Sequence, residues 1–365
     1  MPKLFDGLPG AVTDDDGALL HLGNPFAEQR ALAAGTAVAP LLDRAVLAVS
    51  GEDRRSWLDS VSTQSLKTLE PGASTELLIL DPQGRVEHAA AVFDDGETTW
   101  LIVDRADAEP LLAWLLRMRF RLRVDPRAAD ELVVFGAADG AVAALPAAAP
   151  AGVPLVWRDP WPEIGLGGTT YAAVSPHPGE DRRWNEVLVA AADARAVVEA
   201  AIRGERALAG SLAADALRIA VWRPRWSAEV DERLIPHEAD WLRTAVHLDK
   251  GCYRGQETVA KVHNLGHPPR RLVALHLDGS DAVLPSRGDV VLVDGKPVGA
   301  ITSAARHHED GPIALALVKR TAPVAGDYRV ETAGLELAAA PQTIVAPDAG
   351  ATASVPRLTR LSRRS

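Results

Sequence analysis

The sequence predicts an α+β protein that ends in a small β-barrel. Between 45 and 125 the chain reads strand, helix, three strands, helix, strand, which is the order of a split βαβ unit. Between 184 and 221 a strand and two helices repeat that pairing, and from 271 to 320 the texture is all short strands. A length of 365 residues is long for one hydrophobic core and leaves room for two or three packed units.

Residues 1–35 hold turn formers and the triplet Asp14-Asp15-Asp16 with little periodicity, so an arm laid over the body is expected. The apolar run 45–49 reads as a strand. Ser50 is placed to cap the helix that follows and Asp53 to answer it three residues on, with Trp57, Leu58 and Val61 as the buried face. Residues 75–80 and 85–93 read as paired strands across the turn Asp81-Pro82-Gln83-Gly84. Asp94-Asp95-Gly96 turns the chain into a third strand, 98–103. Asp104 can cap a helix running to Met118, whose Leu111, Leu112, Trp114 and Leu115 share one side.

Phe120, Leu122 and Val124 alternate with Arg119, Arg121 and Arg123, predicting a half-buried strand with a basic outer face. The Ala/Pro-rich stretch 141–154 reads as a linker. A strand at 184–189 and helices at 193–203 and 211–221 follow. Strands at 272–277, 290–293, 298–302 and 313–318, with Asp294-Gly295 as a hairpin turn, make the barrel. The chain thus divides into an arm (1–35), an α+β region (36–265), a barrel (266–340) and a tail (341–365) whose composition predicts disorder.

The formal net charge of -10 argues against a general electrostatic grip on nucleic acid, so no stable nucleic-acid binding is expected. No run approaches the roughly 20 apolar residues of a membrane span. The single cysteine excludes an intramolecular disulfide, and the first residues lack an apolar signal core, so a cytoplasmic monomer is expected.

That cysteine lies in Lys250-Gly251-Cys252-Tyr253-Arg254-Gly255-Gln256-Glu257, a stretch rich in glycine and charge that suits close approach to a ligand. Lys250 and Arg254 flank Cys252 and would favour its thiolate, though a free cysteine is equally often an inert small hydrophobe. Lys250, Gln256 and Glu257 offer a cation, an amide and a carboxylate to a ligand, while Gln256 and Glu257 could instead begin the next helix or strand. No zinc spacing, phosphate loop or dinucleotide fingerprint occurs. His263 and His267 lie in a segment whose Gly266, Pro268 and Pro269 predict loop. Trp222, Trp226 and Trp241 near Arg218, Arg223 and Arg225 could stack a flat ligand, or pack between domains.

The run 250–257, with Leu234-Ile235-Pro236-His237-Glu238 before it and His263-Asn264-Leu265-Gly266 and Arg270-Arg271-Leu272-Val273 after it, resembles the YgfZ-type folate-binding proteins. These are relatives of the glycine-cleavage T-protein, the aminomethyltransferase. The resemblance covers roughly 40–320. It implies two interleaved ferredoxin-like domains in a ring with a C-terminal barrel, and tetrahydrofolate in the central hole. It also implies a part in assembly or repair of iron-sulfur clusters in client enzymes, including enzymes of transfer-RNA modification.

By that resemblance Cys252 is the reactive group, with Lys250, Gln256 and Glu257 beside it, and the folate contacts fall on Glu186, Arg218, Glu238, Tyr253 and Arg254. No resident metal is expected. Aminomethyltransferases carry an aspartate pair after the Gly-x-Val turn where this chain has His88 and Ala89, so folate-dependent aminomethyl transfer is the alternative reading. A transfer-RNA modification protein is the third.

Overall fold

The computed structural model describes residues 4–280 and 282–353. The chain opens with a hairpin of β1 (Val12–Thr13) and β2 (Leu19–His21) and a helix α1 (Pro25–Ala33). Asn24 caps α1 by accepting from the amide of Ala27, with Pro25 at the first helical position. This segment is more than a laid-over arm, because Leu19 and Leu32 are wholly buried and α1 packs against a helix from the second half of the chain.

Strand β3 (Ala37–Pro40) precedes the first complete unit: β4 (Arg44–Ser50), α2 (Arg54–Val61), β5 (Ser74–Leu80), β6 (Val86–Asp94), β7 (Thr98–Asp104), α3 (Arg105–Met118) and β8 (Asp125–Ala128). Its five strands pair antiparallel in the order β5-β6-β7-β4-β8. The chain then returns through β9 (Leu132–Ala138), a short α4 (Asp139–Val142), β10 (Val156–Arg158), β11 (Trp184–Ala190), α5 (Ala191–Ile202), β12 (Ala207–Leu208) and α6 (Ser211–Ala220). The second sheet has the order β10-β11-β9-β3-β12, so the first unit is inserted between two strands of the second and the two are interleaved, as the resemblance implies.

Alternation along each strand sends successive side chains to opposite faces. Val46, Ala48, Phe93, Trp100 and Ile102 of the first sheet meet Ala37, Ala39, Val134, Trp184 and Leu188 of the second in a shared core. The outer face of the first sheet is covered by α2 and α3 through Trp57, Leu58, Leu111 and Trp114, and that of the second by α5 through Ala194, Val197 and Val198. The result is two sheets face to face with helices outside.

After α7 (Trp226–Glu229) and α8 (Gln256–Leu265) comes the barrel: β13 (Arg270–Leu277), β14 (Val290–Val293), β15 (Lys296–His307), β16 (Gly311–Lys319), β17 (Tyr328–Thr332) and β18 (Leu335–Thr343). It closes in the order β13-β16-β15-β14-β17-β18. Val273, Leu275 and Leu277 of β13 fill its interior, whereas Leu272 and Ala274 face outward onto a core that includes Leu78, Leu80, Trp222, Trp241 and Tyr253.

Several expectations need correction. Phe120–Val124 is no strand: Phe120 has φ +45° and stops the helix, the amide of Leu122 closes a turn on the carbonyl of Arg119, and Phe120 and Leu122 are 78% and 44% exposed. Pairing begins only at Asp125, so the alternation belonged to a solvent-facing turn. Ser50 ends β4, opposite Thr98, and cannot also cap α2. The carboxylate of Asp53 turns to Arg123, and that of Asp104 to Arg44 and Arg225. His263 lies on α8, since Gly266 is its C-terminal cap.

The barrel also runs past 340. Pro341, Gln342 and Thr343 pair with Leu275, Ala274 and Val273 to close it, and Ile344 and Val345 are fully buried, because the cylinder needs its sixth strand. Disorder inferred from composition is therefore wrong for 341–345, and residues 354–365 of the expected tail lie outside the described residues.

Candidate functional site

Two places gather the residues named from the sequence, and both attach to β5 and β6. The first is the loop 250–255 leading into α8. Gly255 has φ +81°, and a Cβ there would fall 2.6 Å from the carbonyl oxygen of Asp81 and 3.0 Å from Cα of Gly84. Two glycine turns thus pack backbone to backbone, so the glycine that looked suited to a ligand makes room for the protein's own chain. Gly251 has open space around its missing Cβ.

Lys250 does not attend Cys252. Its ammonium is buried and donates to the carbonyls of Asp59, Ser62 and Gln64, the last two at 2.8 Å, closing the C-terminal end of α2. Burial pulls its pKa down to about 8, with Asp59 opposing, so it remains a cation at neutral pH. Its Nζ sits 5.3 Å from the ring centre of Tyr253, which is buried and whose phenol burial pushes up. Arg254 is spent in a bidentate pair with Glu87 of β6, at 2.7 and 3.3 Å.

Gln256 donates back to the carbonyl of Lys250 at 3.2 Å and, with exposed Glu257, forms the first turn of α8. Both thus begin a helix. Cys252 is an exposed free thiol on a loop pinned at Lys250, Tyr253 and Arg254. Glu238 is fully buried and accepts from the amide of Ile235 and from the amide and guanidinium of Arg270. Its acceptors are committed to holding the start of the barrel, which removes it from the folate contacts.

The second place is a cavity of about 60 Å³ at the edge of the layer between the sheets. Its floor is a cross-strand row: Trp157 on β10, Glu186 on β11 and Gly136 on β9 are register partners. A Cβ on Gly136 would fall 2.2 Å from the Trp184 indole, so glycine there is what seats that ring. Glu186 is 2% exposed; its Oε1 accepts from Arg44 at 3.1 Å, while Oε2 is buried without a hydrogen-bond partner. A dry, unsatisfied carboxylate oxygen costs free energy unless something donates to it.

Arginines dominate the remaining lining, and they are not alike. Arg218 binds Asp215, Glu229, Ser303 and the carbonyl of Arg223. Arg223 holds Glu76 bidentately and Asp159, and Arg225 holds Asp104 and Asp43. Burial alone would lower these three, and their carboxylates outweigh it and raise them. Arg218 therefore lines the cavity as part of the frame, with its donors already used.

Arg182 differs. Burial lowers it despite Asp159, to which its Nε donates at 2.7 Å. Its guanidinium lies 5.3 Å from the Trp184 ring centre, and its terminal nitrogens make no hydrogen bond among the described residues. Arg44, Trp157, Asp159, Arg182, Trp184 and Asp215 escaped sequence reasoning, because they are scattered over 172 positions with no spacing to connect them. The only sequence signal was charge and tryptophan inside strand-like segments.

Glu76 and Leu80 connect the two places. Glu76 carries Arg223 at the cavity, and Leu80 lies where a Cβ on Gly255 would fall, 3.0 Å from its own Cβ. Four residues of strand separate them, about 13 Å. On β6, Glu87, Ala89 and Ala91 face the same side, whereas His88 points the other way, into the helix-covered core. There its Nδ1 meets Asp107 at 2.6 Å, close to Trp114. Burial raises the Asp107 carboxyl above its ordinary value. At the position where aminomethyltransferases carry a pair of carboxylates, this chain therefore presents only alanine inward. Trp222 and Trp241 are buried in the core beside the barrel, and Trp226 donates to the carbonyl of Glu87, so these rings pack between units.

Among the described residues no helix is long and apolar enough to cross a membrane, and no cluster of metal-binding side chains occurs. Residues 270–345 match the glycine cleavage T-protein C-terminal barrel domain. A putative chloroplastic transferase of Arabidopsis thaliana is 35% identical over 32% of this chain, and the chain spans 26% of that relative's length. The tRNA-modifying protein YgfZ of Klebsiella pneumoniae is 29% identical over 68% of this chain and 73% of its own, and an aminomethyltransferase of Nostoc is 28% identical over 78% of each.

The crystal structure of aminomethyltransferase T of the glycine cleavage system from Bartonella henselae superposes with a TM-score of 0.70 at 18% identity, covering 92% of this chain and 93% of that one, so the fold is shared. The barrel, the interleaved sheets and these relatives agree: the chain has the fold of the glycine-cleavage T-protein and is similar over most of its length to YgfZ and to the aminomethyltransferases.

Proposed function

We propose that this protein binds tetrahydrofolate with the pterin on Glu186 and serves the assembly or repair of iron-sulfur clusters in client proteins through Cys252. The observation that carries the folate half is the buried, unpartnered Oε2 of Glu186. A pterin edge presents adjacent N–H donors, and a carboxylate with a free oxygen in a tryptophan-walled cavity is a fitting acceptor for them. Bound tetrahydrofolate would supply a reduced pterin able to carry one-carbon units. The chain's own part is to accept the ring's donors at Glu186, flank it with Trp157 and Trp184, and keep water from the row behind.

Support for the thiol half is the placement of Cys252: exposed, on a loop fixed by Lys250 to the end of α2 and by Arg254 to β6. An exposed cysteine sulfur offers one ligand or one nucleophile to a cluster carried by a partner. Clients that modify transfer RNA would agree with the name of the Klebsiella relative. We place the protein in the cytoplasm as a monomer. Aminomethyl transfer is disfavoured by Ala89, which supplies no carboxylate to the inward face.

A Cys252→Ala strain tests the thiol half. Its 4Fe-4S enzymes should lose activity while the purified variant binds tetrahydrofolate as the wild type does; full retention of those activities would remove Cys252 from the function.

A further inference from the structure

A cavity of about 60 Å³ does not hold a bicyclic ring, since sites for small organic ligands run from about 300 Å³ upward. Some lining side chain must leave when a flat ligand enters. Most cannot leave cheaply. Arg218, Arg223 and Arg225 each bridge two or more partners, Arg44 joins Asp104 to Glu186, and Trp157 is fixed by its indole donating to the carbonyl of Thr75 at 2.7 Å.

Arg182 is the exception among the long side chains of the wall. One nitrogen bonds Asp159, and its plane rests on Trp184. Asp159 would not be stranded by its departure, because Arg223 also holds it, at 3.1 Å, and the amide of Trp161 donates to it. The terminal nitrogens of Arg182 would break no hydrogen bond with the described residues.

Resting on the folate reading above, we infer that Arg182 is an exchangeable plug: it occupies the face of Trp184 that a flat heterocycle takes, and ligand entry trades the guanidinium–indole stack for a ring–indole stack. Both stacks use the same π surface, so the guanidinium and the ring exclude each other. Arg182 then sets affinity and selectivity by competition. Small polar molecules do not displace it, and only a planar ring large enough to cover the indole recovers what its removal costs.

Calorimetric titration of tetrahydrofolate into wild type, Arg182→Ala and Arg182→Lys decides this, with circular dichroism confirming that each variant is folded. Lysine keeps a cation beside Asp159 but cannot stack as a plane, so it serves if the alanine variant fails to fold. Both variants should bind more tightly than wild type, by about tenfold for alanine. Weaker binding would make Arg182 a ligand contact and unchanged binding would make it a bystander, and either result overturns the plug. Binding only by the variants would support it strongly. No binding by any of the three would instead overturn the folate reading and the plug with it, an outcome distinct from wild-type binding that ignores Arg182.

Discussion

Lys250→Met should destabilise the protein by about 3–5 kcal/mol. Methionine keeps most of the side-chain volume beside Tyr253 but removes three N–H donors from the carbonyls of Asp59, Ser62 and Gln64. Each hydrogen bond to a charged group contributes about 1.5–3 kcal/mol, and a buried acceptor left bare costs about 1–3 kcal/mol. The three share one donor group and do not add, so the sum falls well below three times the single value. Ser62 is 1% exposed, which limits how far water can replace the ammonium. Urea unfolding followed by circular dichroism reads the loss as a lower midpoint at unchanged slope. A loss below about 1 kcal/mol would show that the ammonium is not anchoring the Cys252 loop and would return it to the candidate chemistry.

Gly255→Ala should cost about 3 kcal/mol, because φ +81° is strained for alanine and its Cβ meets the backbone at Asp81, whereas Gly251→Ala should change stability by about 0.5 kcal/mol or less; equal thermal midpoints for the two would refute the backbone-to-backbone packing. Asp240 is fully buried, and burial raises its pKa from 3.8 to about 6 against hydrogen bonds from Tyr171 and Thr170. The folded state therefore holds a proton that the unfolded state releases between about pH 4 and 6. Stability should fall by about 3 kcal/mol as pH rises through that window. Asp240→Asn, tolerated at φ 54°, should remove the slope; an equal slope in the variant would assign the titration elsewhere.

Periodicity made the sheets legible: β4 to β7 and β11 alternate or run apolar, and their turns carry Asp-Pro-x-Gly and Asp-Asp-Gly. It misled at Phe120–Val124, where the alternation leaves Phe120 and Leu122 exposed and is only a turn, and composition misled at 341–345, where Pro341, Gln342 and Thr343 close the barrel. The motif at 250–257 marked the loop that carries the exposed Cys252, but its charges read as free when they are spent on Asp59, Ser62, Gln64 and Glu87. Those partners lie 167 to 191 residues away, and nothing local announces them. Glu186 came through family likeness alone. What distinguishes it is an absent partner, a property only the packed structure has.

Titration of tetrahydrofolate against wild type and Glu186→Gln tests the central claim most directly. Glutamine can still accept from Arg44 through one oxygen, while the second position changes from acceptor to donor and faces the ring's own N–H groups. Wild type should bind, and Glu186→Gln should bind at least about tenfold more weakly. Equal affinity in the two proteins, or no binding by either wild type or the Arg182 variants, would contradict it.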